Sequence, residues 1–383
     1  MPPSVHKPFL EGTVIRNIAA HYTRFERTIS SVSLFGGFAF DAFTLKRVDT
    51  FWENFWVLAH LLLVAGCILL IHRRENGRGE NEAGQNRGGE PGSASKTHFW
   101  LVTVLQFLFG GLLSTFLVFY FRSGSLRASW PFFLLLAGAF LANEKLKHRL
   151  ALLDFQLSFF FLSLFSFAIF IVPVLVHAIG RLVFLLSGGI SLGLLWLFLR
   201  ALEAVGGEAL ARRRAPTAYV ATIFLAINAL YFLNLIPPIP LSLQDAGVDH
   251  SVARTADGDY VVQTEDQGWL RFFRLAVRIH EVPGAPVYVY SAVFSPTALN
   301  TDIVHEWQAY DRRRGWLTTD RVALPVRGGR GGGYRTYSMK RGVWPGAWRV
   351  NVETPTGAIL GRVRFNVLSP AAEPPSLKTE LKD

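Results

Sequence analysis

A chain of 383 residues that is 50% hydrophobic and only 17% charged is too apolar for an ordinary soluble enzyme. The formal charge of +11 raises nucleic acid as a partner, but Lys and Arg flank apolar runs rather than forming one stripe. Nucleic acid is therefore left out of the expected partners, and the lipid bilayer takes its place. The one cysteine, Cys67, lies inside an apolar run, so no disulfide can form within the chain.

Residues 1–28 are polar and basic, and no early apolar run leads to a small-residue cleavage site, so no signal peptide is expected. Within 14–29, Ile15, Ile18, Tyr22, Phe25 and Ile29 fall on one helical face and Arg16, Arg24 and Arg27 fall opposite. Such a helix can lie on an anionic leaflet or pack against a bundle. Residues 29–240 then alternate apolar runs with charged loops. The pattern predicts a transmembrane bundle of about seven spans, at 29–45, 52–71, 99–121, 130–146, 153–176, 181–199 and 218–236. Trp52, Trp56, Trp100, Tyr120 and Trp130 sit near span ends, as interfacial aromatics do. Residues 72–98, rich in Gly, Glu, Asn and Arg, are expected to be a disordered loop. Gly189-Ile-Ser-Leu-Gly193 and the Gly110-Gly111 pair read as helix-packing positions, and Asn228 and Asn234 as groups that bond between helices.

With the N-terminus in the cytoplasm, the inside loops hold sixteen Lys and Arg, among them Arg73, Arg74 and Arg200. The outside loops hold five: Lys46, Arg47, Arg122, Arg127 and Arg181. This bias predicts a topology with the N-terminus inside and the C-terminal region outside the cytoplasm.

Residues 241–258 show no period and read as a linker. From 259 to 369 the pattern turns to strands. Phe273, Leu275, Val277 and Ile279 alternate with polar residues, as do Val322, Leu324 and Val326, then Trp348, Val350 and Val352, then Ile359 to Val367. Val287–Phe294 is apolar on both faces and suits a central strand. Turns fall at Pro283-Gly284, Pro296, Gly328–Gly333, Pro345-Gly346 and Pro355-Thr356-Gly357. About seven short strands predict an all-β, immunoglobulin-like antiparallel sandwich. The tail, 370–383, is rich in Pro, Glu and Lys and is expected to be disordered.

Several stretches match a known pattern in order and spacing. They are Val287 to Pro296, His305-Glu-Trp307, Gly328 to Lys340, Pro345-Gly-Ala-Trp348, and Gly357 to Phe365. Over about 286–367 the chain resembles a bacterial family known only as domain of unknown function 2914. Gly37 to Asp41, Leu45 to Asp49 and Pro237 to Leu243 resemble the membrane part of its longer, membrane-anchored members. The resemblance implies a bacterial inner-membrane protein with an extracytoplasmic sandwich, and it implies no activity.

Two groups of residues invite a chemical role. On strands, His305 and Trp307 share a face, and Tyr334, Thr336, Ser338 and Lys340 share another, with Arg335, Tyr337 and Met339 behind them. Arg330, Arg335, Lys340, His305, Trp307 and Ser338 are the candidate ligand-binding residues, for an anionic glycan, a lipid or a periplasmic protein. The alternative is structural: Trp307 fills the core and His305 bonds the backbone. Asp41, near the outer end of the first span, is the intramembrane candidate, against a plain interfacial pairing with Lys46 or Arg47. No nucleophile elbow, nucleotide loop or metal-ligand spacing is present, so no catalytic residue, cofactor or metal is expected. The reading is a non-enzymatic envelope protein presenting a binding sandwich. Its alternative is a transporter or membrane-embedded enzyme that uses Asp41, with the sandwich as a regulatory cap.

Overall fold

The structure, a computed structural model, describes Phe38, Ala39, Asp41, Phe43 and residues 51–84, 91–123, 126–145, 152–206, 214–237, 240–256, 259–266, 276–295, 300–327, 333–370 and 376–382. Among the described residues from Phe51 onward six helices come first: α1 (Phe51–Gly84), α2 (Pro91–Ser123), α3 (Leu126–Lys145), α4 (Leu153–Val176), α5 (Arg181–Gly206) and α6 (Arg214–Phe232). Four are long and apolar enough to cross a membrane: Phe51–Arg74 of α1, Trp100–Phe121 of α2, α4, and Arg181–Val205 of α5. This revises the expected seven spans. In α3 the backbone is non-helical at Ser129, two residues before Pro131, and the apolar stretch among the described residues is Ser129–Asn143. In α6 that stretch is Thr217–Phe232, and the chain turns at Leu233 and Asn234, the latter at φ 55°, before Pro237 is reached. The expected first span, 29–45, lies mostly outside the described residues, as does the segment 1–28.

Helix α4 is apolar on every side and forms the centre of the bundle. Seventy-eight per cent of it is buried, against 33% of the spanning parts of α1 and α5. Phenylalanines make these contacts: Phe160 meets Phe198 at 4.7 Å, Phe165 meets Phe224 at 5.6 Å, and Phe116 meets Phe170 at 5.8 Å between ring centroids. The close glycine contact is at Gly188, where an added Cβ would lie 3.1 Å from Phe224. Gly189 and Gly193 face open space instead, so the expected packing motif points away from the bundle. Gly110 and Gly111 do lie at helix contacts, against Asn143 and His60. Tyr120 is buried rather than interfacial and donates to the Ser166 carbonyl at 3.2 Å. The expected loop 72–98 is helical over 72–84 and 91–98, as extensions of α1 and α2.

Eleven strands follow among the described residues: β1 (Ser242–Asp249), β2 (Ser251–Arg254), β3 (Tyr260–Glu265), β4 (Val277–His280), β5 (Val287–Phe294), β6 (Asn300–Asp311), β7 (Gly315–Arg327), β8 (Tyr334–Lys340), β9 (Gly346–Glu353), β10 (Ile359–Leu368) and β11 (Leu377–Lys382). They form sheets ordered β1-β5-β8, β4-β10-β9-β6-β7 and β11-β3-β2. All pairs are antiparallel except β4 with β10, which is parallel. The expected linker 241–258 therefore holds β1 and β2. A register shift between Leu243 and Asp245 breaks the alternation that would have revealed β1. The expected disordered tail holds β11, paired with β3.

The first two sheets share one apolar core. Val248 of β1 and Val287 and Val289 of β5 meet Trp307 of β6, Trp348 and Val350 of β9, and Val363, Phe365 and Val367 of β10. The third sheet covers the other face of β5, where Val252 and Val262 pack on Tyr290 and Ala292. Glu265 ties it down, 2.7 Å from His250 Nε2 and 2.9 Å from His280 Nδ1, and accepts from the His280 amide at 2.6 Å. Because β5 is covered on both faces, it reads as a continuous apolar run.

Trp348 is 1% exposed and donates to the Trp344 carbonyl at 2.9 Å. Trp348→Ala should therefore cost on the order of 3–5 kcal/mol. The check is thermal unfolding of the full chain in detergent, followed by tryptophan fluorescence. An unchanged transition would place the ring outside the core.

Candidate functional site

The expected site residues meet, but inside the core. Trp307 and His305 are both fully buried. Trp307 Nε1 donates to Ser338 Oγ at 3.0 Å, and Ser338 Oγ is 2.8 Å from His305 Nδ1. Ser291 Oγ is 2.8 Å from His305 Nε2. Tryptophan has only a donor, so the assignment that uses every proton has Ser338 donating to Nδ1 and Nε2–H donating to Ser291. Ser291 and Ser338 belong to one sheet and His305 and Trp307 to the other, so this buried network joins the two. Burial pulls the His305 imidazole down to about 3, and the ring is neutral at physiological pH. The group is enclosed in the core and offers no surface to a ligand.

The basic residues of the candidate set do not form one patch. Arg335 and Lys340 lie on opposite faces of β8, as the period of two requires. Arg335 is 9% exposed and bonds the Tyr290 side chain under the third sheet. Burial pushes that Tyr290 phenol up to about 12. Lys340 pairs with Asp320, and its Nζ lies 5.9 Å from the Trp348 ring centroid. Arg330 lies outside the described residues. Asp41 does find a partner in the bundle, accepting from Ser114 Oγ at 2.5 Å. Asn228 bonds the Phe224 carbonyl of its own helix at 2.8 Å, and Asn234 bonds the Thr356 carbonyl at 3.2 Å, so neither links two helices.

A second group, absent from the sequence-based expectations, lies on the outer face of the five-stranded sheet. With His305 and Trp307 turned inward, Glu306, Gln308 and Tyr310 of β6 turn outward beside Arg349, Asn351 and Glu353 of β9, Thr318 and Arg321 of β7, and Arg362 of β10. Arg362 Nε donates to Asn351 Oδ1 at 2.5 Å, Asn351 Nδ2 to Glu306 Oε2 at 2.8 Å, and Arg321 to Glu353 Oε1 at 2.6 Å. Arg349 Nε donates to Gln308 Oε1 at 2.6 Å. Burial, then Glu306, push the Glu353 carboxyl up to about 7 despite Arg321 and Arg362.

This face runs into the β6–β7 hairpin. Asp311 Oδ1 accepts the amides of Arg313 and Arg314, both at 2.8 Å, and Gly315 takes φ 77°, which closes the turn. Arg312, Arg313 and Arg314 are all exposed at the tip. Below them Tyr310 meets Trp316 at 5.2 Å, and the Arg349 guanidinium lies 4.2 Å from the centroid of the Trp316 ring. The sequence signal was present in Tyr310-Asp-Arg-Arg-Arg-Gly-Trp316: a turn acid, three cations and a glycine between two alternating runs. Among the described residues, no three His, Cys, Asp or Glu side chains are placed to share a metal ion.

Residues 300–367 match the model of a family described as protein of unknown function (DUF2914). The chain carries a DUF2914 segment. That segment spans β6 to β10, so the buried His305 and Trp307 pair, the outer polar face and the arginine-bearing hairpin all belong to it. No curated protein matches the chain. Among solved structures, the Pseudomonas fluorescens alkylpurine DNA glycosylase AlkC, bound to DNA containing an abasic site analogue, is similar at 11% identity over 84% of this chain and 100% of that one. Its TM-score is 0.21, too low a likeness to carry an argument.

The core network and the outer face give opposite pH dependences. Below about 6.5 an unfolded histidine takes up a proton that folded His305 refuses until about 3, so its stabilisation is lost as pH falls through that window. Folded Glu353 titrates near 7 against an ordinary 4.5, so its stabilisation is complete below 4.5 and lost as pH rises to 7. Relative to wild type, His305→Gln should lose less stability on acidification from pH 7 to 5, and Glu353→Gln should lose more. Melting temperatures of the three proteins at the two pH values check this.

Proposed function

We propose that this chain is a bacterial inner-membrane protein that displays an immunoglobulin-like sandwich in the periplasm. The distal end of that sandwich binds an anionic envelope glycan. The observation that carries the reading is the β6–β7 hairpin, where three exposed arginines stand over Tyr310, Trp316 and Arg349.

The orders β5-β8 and β10-β9-β6-β7 around a shared core support the sandwich assignment. Charge supports the orientation. The β9–β10 turn meets the ends of α4 and α6 through Asn234 and Thr356. The exposed Arg73 and Arg74 lie at the other end of the bundle, since the neighbouring His72 pairs with Gln156 near the start of α4. Arg200 lies there too, near the far end of α5. An excess of cations away from the sandwich is what an inside-positive membrane protein requires.

Distance favours a wall polymer over the protein's own membrane. Thr301, at the start of β6, lines the junction with the bundle. Strand β6 has twelve residues and reaches Asp311, so at about 3.3 Å per residue the arginine tip stands roughly 35 Å beyond the junction. Arginine forks suit carboxylates and phosphates, and aromatic faces suit sugar rings. Five arginines, Arg312, Arg313, Arg314, Arg349 and Arg364, gather at this end. The two glutamates of the face, Glu306 and Glu353, lie further back and are already bonded to Arg321 and Asn351.

The test is titration of the full chain in nanodiscs with a uronic-acid polymer and with a neutral glucan of the same length. The acidic polymer should bind, more weakly as salt rises. The combined Arg312→Ala, Arg313→Ala and Arg314→Ala variant should lose about tenfold or more in affinity, while Arg327→Ala with Arg341→Ala keeps it. Equal binding of the two polymers, or an unaffected triple variant, overturns the reading.

Orientation has its own check. A reporter active only outside the cytoplasm should work when fused at the C-terminus and fail when inserted between α1 and α2. The reverse pattern overturns the periplasmic placement.

A further inference from the structure

Where the bundle meets the β-rich region there is a cavity of about 160 Å³. Its lower wall is apolar: Ile169 of α4, Val183 of α5, Ile236, and the parallel stack of Phe184 on Tyr231 at 3.6 Å. Its upper wall is the β9–β10 turn, with Thr354, Thr356 and Ala358, together with Thr301. The polar atoms of that wall are engaged. The hydroxyls of Thr354 and Thr356 bond each other at 2.9 Å, the Thr356 carbonyl accepts from Asn234, and Thr301 Oγ1 donates to the Asp302 carbonyl at 3.3 Å. The apolar wall of Ile169, Val183, Ile236 and the Phe184–Tyr231 stack is one that a hydrocarbon chain can cover.

The cavity lies at the level where α4 ends, α5 begins and α6 ends, which is the boundary between bilayer and water if these helices cross a membrane. Beside it Arg181, the exposed first residue of α5, stands within electrostatic reach of the Tyr231 hydroxyl. A cation at the rim of an apolar hole at the bilayer surface matches one kind of molecule abundant there.

We infer that this junction is a phospholipid site: one acyl chain enters the cavity between α4, α5 and α6, and its phosphate rests on Arg181. The inference rests on the membrane reading of the bundle and is independent of the glycan site, which lies at the opposite end of the sandwich. A bound lipid would also brace the β9–β10 turn on the helix ends, where Asn234 makes the polar contact.

The experiment uses the full chain in nanodiscs of phosphatidylethanolamine and phosphatidylglycerol, doped with a phosphatidylglycerol that carries a photoreactive diazirine in mid-chain. Cross-linked peptides are located by mass spectrometry. Labelling is expected at 179–184 and 231–237, and also on the outward face of α5 near Leu194, which is 46% exposed. Val183→Trp fills the cavity from the helix side and Thr301→Leu from the other. Each should cut junction labelling at least fivefold and leave labelling near Leu194 unchanged. Arg181→Gln should reduce by about threefold the preference for the phosphatidylglycerol probe over a phosphatidylcholine probe. Undiminished junction labelling in both filled variants overturns the acyl-chain site. An unchanged headgroup preference in Arg181→Gln overturns the phosphate contact. No labelling near Leu194 overturns the membrane placement on which both depend.

Discussion

The bond that joins the two core sheets is a short polar chain in an apolar interior. Ser291 and Ser338 reach His305 from one sheet, and Trp307 shares Ser338 from its place beside His305 on the other. A buried hydroxyl or imidazole without a partner costs about 1–3 kcal/mol, so the register that pairs all four groups is strongly preferred over its neighbours. Shifting a strand by one residue would turn every side chain to the other face. With His305 and Trp307 held inward, Glu306, Gln308 and Tyr310 have nowhere to go but out. The polar outer face and the aromatic base of the arginine hairpin follow from a constraint inside the core.

The bundle is organised by a different rule. Helix α4 presents no polar face and is enclosed by α1, α2, α5 and α6, while the outward faces of α1 and α5 stay apolar. Packing among these helices is carried by phenylalanine rings and by Gly188, where the missing Cβ lets Phe165 and Phe224 close in. Three polar pairings lie inside it: His72 with Gln156, Asp41 with Ser114, and Asn143 with the Gln106 carbonyl. Each removes a donor or acceptor from a medium that cannot solvate it.

The β-rich region stands on this bundle by the β9–β10 turn, whose loop is held by two backbone bonds, Thr354 N to Ala358 O and Gly357 N to Thr354 O, both 2.9 Å. Strands β6 and β9 run from that footing to the far end. The fold thus separates two environments along one strand pair: an apolar seat at the helix ends, and a cationic, aromatic tip at the other extreme.

Much of this was legible in the residues. Apolar runs of about twenty located α1, α2, α4 and α5, and period-two alternation located β7, β9 and β10, because both signals arise from burial on a known repeat. The two faces of β8 were readable for the same reason. Periodicity says which residues share a face, but not which face is covered. That decision belongs to the third sheet, which buries Arg335, and to the opposing sheet, which buries His305 and Trp307. Strand β1 escaped notice because its register shift breaks the alternation, and β11 because a short run of Leu, Lys and Glu becomes a strand only when β3 supplies its hydrogen bonds. Composition also does not reveal where the backbone of α3 departs from helix, at Ser129, or where the chain turns after α6, at Asn234. The sequence by itself determined the order of apolar helices and alternating strands. Only the tertiary structure decided which charges are enclosed, because enclosure depends on partners far away in the chain.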